Sequence, residues 1–345
     1  MLRNDLDFWV GVIGTAASGT LNTLIEVSQA SHITQFGAAA GGTLVNALNV
    51  LLRYGIKAYA VRVATGADAA ATAVNVVGTG ATDGLGLLST MESATAQYPV
   101  ALFVPGIQAD NVITALNTRA VEAGTIGIAD WLGTEAALNT ARGTATGYGL
   151  KSKNLAIAFR QQLTATATEF LSAHLAALIA YQSKYGSIGT APIGRTLRDV
   201  VSTTPASGNA PVTSNGVITS RFLGNNQYDL AGYLNTLAPS VTGQEALLIR
   251  MPLEGVLTRV LRGRLASKVG MGVNRTSAHL IEMELTNILN NYVAAGSLKM
   301  GFAKFNESAS TFPIDGSDAT LVYDICVTLI AGFLQSSTMT FSVVL

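Results

Sequence analysis

Apolar positions in the first 130 residues recur in two alternating rhythms. Phe8–Gly14 is a compact apolar run closed by glycine, which predicts a buried strand. From Gly42 to Tyr54, the residues Leu44, Val45, Leu48, Leu51 and Leu52 share one helical face, with Gly55 placed to end the helix. Lys57–Ala64 then alternates, with Tyr59, Val61 and Val63 on one side. Thr72–Thr79 reads as a further strand and Leu85–Ser93 as a short helix. Pro99–Val104 predicts another buried strand. Asp110 is placed to cap a helix through Ala123 that turns Val112, Ile113, Leu116 and Ala120 inward, and Thr125–Asp130 closes the series. This strand–helix rhythm implies a sheet covered by helices.

The pattern then loosens. Asn154–Phe159 predicts a strand and Gln161–Tyr185 a long Ala-rich helix, but Gly186–Gly216 is a loop-forming stretch containing TTPASGNAPVTSNG. Regularity returns late. Ala246–Met251 reads as a strand, Pro252 suits the first turn of a following helix, and a second helix starts at Thr276. That helix carries the stripe Ile281, Leu285, Ile288, Leu289 and Tyr292 and ends at Gly296. Three strands are expected after it, in Ser297–Phe305, Ala319–Leu329 and Ser337–Leu345. The fold class expected is mixed α/β, a helix-covered sheet shared by residues 1–130 and 245–345. Residues 131–244 would form a peripheral insertion and residues 337–345 a strand arm.

Composition shifts attention from catalysis to assembly. Only 12% of the 345 residues are charged, about half the usual share, and the 21 Lys and Arg balance the 21 Asp and Glu. Net neutrality favours association, and the residues in excess are small ones that allow close contact between backbones. Mean hydropathy is positive, yet no stretch approaches the roughly 20 apolar residues that span a bilayer. The best candidate, Leu321–Leu334, is broken by Asp324. The apolar start has Asp5 and Asp7 beside Arg3, the wrong charge for a signal peptide. One cysteine, Cys326, excludes an intramolecular disulfide and points to a reducing compartment. The absence of a basic excess argues against nucleic acid.

The residues that could carry chemistry do not assemble into a site on paper. Gly11, Gly14 and Gly19 follow a strand, but their spacing departs from the G-x-G-x-x-G that cradles a dinucleotide, so a structural turn is expected. His279 and Glu282 share a helix face but lack further ligands, and Ser18 lacks the G-x-S-x-G of a nucleophile elbow. Cys326 is expected in the core, and Asp83, Asp110 and Asp130 in turns or caps. No catalytic, cofactor or metal site is expected.

Two features suit contact with other chains. Arg250, Arg259, Arg262, Arg264, Lys268 and Arg275 crowd one stretch in which Glu254 is the single acid. Either this is a solvated face, or Arg259, Arg262, Arg264 and Lys268 meet an acidic protein. At the end of the chain, Met339, Phe341, Val343 and Leu345 alternate with Thr338, Thr340, Ser342 and Val344. Such a strand either belongs to the subunit's own sheet or completes a neighbour's.

Three blocks, in order, resemble the sheath proteins of contractile phage tails. The first is WVGVIGTAASG, then ITQFG, then TLVNALNVLLRYGIKAYAVRVA; the second is PVALFVPGIQADNVITALNTRAVEAG; the third is HLIEMELTNILNNYVAAGSL with the strands after it. Together they cover about half the chain. Sheaths often carry an extended arm ahead of the first strand, where Met1–Asp7 stand here. The resemblance implies hexameric rings stacked as a sleeve on a tail tube, ending at baseplate and tail terminator proteins. It further implies assembly in the host cytoplasm, a place in the virion tail, and contraction driven by remade subunit contacts, with neither cofactor nor membrane insertion. Another self-assembling tube or shell protein, or a doubly wound enzyme, remains the alternative.

Overall fold

The computed structural model describes residues 8–159, 169–185, 197, 216–224, 227–231, 235–237, 247–268, 274–294, 298–312, 320–329 and 336–344. The chain divides into two compact units, residues 1–186 with 191–252, and residues 187–190 with 253–345.

The first unit is built on eight strands: β1 (Trp9–Thr15), β2 (Leu24–Val27), β3 (Ala58–Val63), β4 (Pro99–Val104), β5 (Ile126–Trp131), β6 (Leu155–Phe159), β7 (Val217–Gly224) and β8 (Gln227–Ala231). Their order is β2-β3-β1-β4-β5-β6-β7-β8. Six neighbouring strands, β3 through β7 in space, run parallel, and β2 and β8 cap the edges antiparallel. β1, β4, β5 and β6 are buried along their whole length, as parallel strands covered on both faces must be.

Glycines in the strands show which helix covers which face. A side chain at Gly11 would strike Leu102 and Leu88, so the helix Gly84–Ser89 lies close above it. Gly127 is similarly crowded by Leu116 and Ala120 of the helix Asp110–Glu122. Gly14, three residues from Gly11 and thus on the other face, approaches Thr43 and Leu44 at the start of the helix Leu44–Arg53. The helix Leu171–Tyr185 lies on that second face too, because Ser172 bonds Asp130, three residues on from Gly127. The result is helix, sheet, helix.

Local chemistry accounts for most boundaries. The helix Leu44–Arg53 buries Leu44, Val45, Ala47, Leu48, Val50 and Leu51. It stops where Gly55 takes a positive φ of 71° and the Gly55 and Ile56 N–H groups bond Leu52 and Leu51. Residues 72–79, expected as a strand, belong instead to the helix Ala69–Val77 and the turn after it. Asp68 caps that helix by accepting from Ala71 N–H at 2.7 Å, and Ala73 and Val76 face the core while Val74 is exposed. The β-branched valines suggest a strand, but the cap and the three-residue spacing of buried positions prevail. β2 falls in LNTLIEV, where no regular element is expected from the pattern.

The middle of the chain is less peripheral than expected. β6, β7, β8 and the helix Leu171–Tyr185 all belong to the first unit, and β6 pairs on both edges. A strand as apolar as LAIAF needs such cover. Residues 161–168, expected as the start of the long helix, and most of residues 186–216 lie outside the described residues.

In the second unit, the helices Arg250–Ala266, whose residues from Leu253 belong here, and Arg275–Ala294 accompany β9 (Leu298–Phe305), β10 (Thr320–Leu329) and β11 (Ser336–Val344). The strand order is β11-β10-β9, all antiparallel. Residues 1–130 and 253–345 thus build separate sheets where one shared sheet was expected. Of the strand expected over Ala246–Met251, the described residues 247–251 form none: Leu247 makes a single bridge, and the helix begins at Arg250 with Pro252 in its first turn. An N–H there has no helical acceptor, so proline costs nothing. The stripe expected on the helix Arg275–Ala294 is buried as read, with Ala278 added.

Candidate functional site

The basic stretch follows from a helix whose inward stripe is Leu253, Val256, Leu257, Leu261 and Leu265. Its four basic residues do not form one patch. At 3.6 residues per turn, Arg264 lies about 140° around the axis from Arg259 and about 160° from Arg262. Arg259 is partly buried and donates to the Gly255 carbonyl at 3.0 Å, whereas Arg262 is exposed. Arg264 and Lys268 instead converge on Glu284 of the helix Arg275–Ala294. Arg264 Nε donates to Glu284 Oε1, and Lys268 Nζ stands 3.0 Å from Oε2. Burial alone would raise the Glu284 pKa, but the hydrogen bonds and charges of Lys268 and Arg264 outweigh it and hold the carboxyl below its ordinary value.

The C-terminal strand pairs with the subunit's own β10 over nine residues. Met339, Phe341 and Val343 stand opposite Ile325, Tyr323 and Leu321, which are all fully buried. A strand is present where one was expected. Leu345 lies outside the described residues. Tyr323 ties that sheet to the helix by donating to the Ala278 carbonyl at 3.0 Å. Cys326 is only partly buried, since it shares the other face with Phe302; a position in the core was expected.

The first unit holds polar groups that the sequence leaves unconnected. Asp130, fully buried at the end of β5, accepts from Gly106 N–H at 3.0 Å, Ser172 N–H at 3.0 Å and the Ser172 hydroxyl at 2.6 Å. It thereby caps the helix Leu171–Tyr185 from far back along the chain. His174, fully buried, lies 3.1 Å from Tyr54 Oη through Nδ1 and 3.0 Å from Glu169 through Nε2. Glu169 also pairs with Arg53 at 2.7 Å. Burial pushes the His174 pKa down, so the ring is neutral at pH 7, accepting from Tyr54 and donating to Glu169. For Glu169, burial raises the pKa, but the bonds from His174 and Arg53 reverse this and hold it well below the ordinary range. Arg142 is buried among the carbonyls of Tyr148, Leu150 and Thr236, and desolvation lowers its pKa to about 10. All these groups bond to one another or to backbone inside the unit.

The other candidates resolve into local structure. Gly11 and Gly14 are close-packing positions, and Ser18 donates to the Gln35 carbonyl at 2.8 Å. Asp83 accepts from the Thr79 hydroxyl and from the Thr79 and Gly80 N–H groups, which lowers its pKa. Asp110 begins its helix and accepts from Tyr148 N–H at 3.4 Å. His279 and Glu282 pair at 2.9 Å on an exposed face. Among the described residues no cluster suits a metal ion, and no helix is long and apolar enough to cross a membrane.

No protein-family model matches the sequence, and no curated protein is similar to it. Solved structures do match. The helical sheath of the anti-feeding prophage in its contracted state aligns with a TM-score of 0.71 at 12% identity, over 96% of this chain and 92% of that one. The sheath tail protein of Desulfitobacterium hafniense aligns at 0.68 and 10% identity, over 99% and 97%. A chain of the six-fold symmetrised anti-feeding prophage baseplate aligns at 0.68 and 13% identity, over 95% and 91%. Nearly the whole length is matched in each case. The chain has the fold of the sheath proteins of contractile tails and injection systems.

Proposed function

We propose that the chain is a structural subunit of a contractile sheath, polymerising around a tail tube and contracting to drive that tube through the host envelope. One observation carries the reading: a likeness to sheath subunits that runs through 96% of the chain. The six-fold symmetry of a matching baseplate supports rings of six that end on a baseplate and, at the far end, on a terminator. The face bearing Arg259 and Arg262 meets an acidic tube, with Arg264 and Lys268 behind it. β11, with Met339, Phe341, Val343 and Leu345, links subunits by taking in a neighbour the place it holds in its own sheet. The particle is a virion tail assembled in the host cytoplasm. The work of contraction comes from remade subunit contacts, so neither nucleotide nor metal is needed. Electron microscopy of the purified chain tests this directly. Hollow helical sleeves are expected; closed shells or discrete monomers at high concentration refute it.

A further inference from the structure

We draw no further inference here: the strongest candidate, the exposed apolar patch of Leu280 and Met283 on the face of the helix Arg275–Ala294 turned away from its buried stripe, carries none because nothing in the structure shows what covers it.

Discussion

Lowering the pH from 6.5 to 5 should destabilise the first unit through one residue, His174. Its ring is fully buried between Tyr54 and Glu169 and its pKa is pushed below the ordinary 6.5. The sign follows from proton counting: as the pH falls through 6.5 the unfolded chain takes up a proton on this ring more readily than the folded chain does. Stability therefore falls as the pH falls, by up to about 1.4 kcal/mol per pH unit for one proton. For a ring that stays neutral in the folded chain, the ceiling across these 1.5 units is about 1.6 kcal/mol. With a urea m-value of about 3 kcal/mol/M, the midpoint moves down by at most roughly 0.5 M. Glu169 acts in a lower window: its stabilisation is complete above about pH 4.5 and is lost as the pH falls toward its depressed folded value. The assay is urea unfolding of the unpolymerised chain at pH 7, 6.5, 6, 5.5 and 5, followed by tryptophan fluorescence. Both tryptophans, Trp9 and Trp131, sit in strands of the first unit, so the signal reports the right body. His174→Gln has no proton to take up, so its midpoint should move less than that of the wild type, the difference being at most about 0.5 M. Equal midpoint shifts for the two proteins would refute the reasoning.

Other substitutions probe the remaining contacts. Asp130→Ala leaves Gly106 and Ser172 donors buried without an acceptor and should cost about 3 kcal/mol or more, read as a lowered melting temperature. Gly11→Leu drives a side chain into Leu102 and Leu88 and should abolish soluble expression or cost several kcal/mol, whereas the same change at half-buried Gly80, where an added Cβ meets open space, should be mild. Charge reversal at Arg259 and Arg262 should weaken co-sedimentation with an acidic tube while circular dichroism stays unchanged, and the residual binding should vanish at high salt. Deleting Ser337–Leu345 should leave the first unit folded and end sleeve formation in micrographs; continued polymerisation would show that β11 is not the link.

Much of the local structure was legible from periodicity alone. The buried run Trp9–Thr15, the helix from Leu44 with its stop at Gly55, the helix from Asp110, and the stripe from Ile281 to Tyr292 each declare themselves within a few turns. The expected strand Ser337–Leu345 likewise anticipated β11. These features need only neighbours along the chain, because backbone geometry fixes which residues share a face. What tertiary structure alone decided involves residues far apart. Nothing near Thr72–Thr79 says that its valines pack as a helix, since helix and strand compete closely in so short an apolar run. LAIAF gives no sign that its neighbours are β5 and β7, so the local pattern does not place the middle of the chain in the sheet. The basic cluster looked like one patch because sequence places charges on a line, whereas the helix winds that line around an axis and Glu284 claims one side. His174 found Tyr54 across 120 residues, and Asp130 found Ser172 across 42. Hydrogen bonds are short-ranged and directional, so such partners are set only when the sheet and its helices have closed around them.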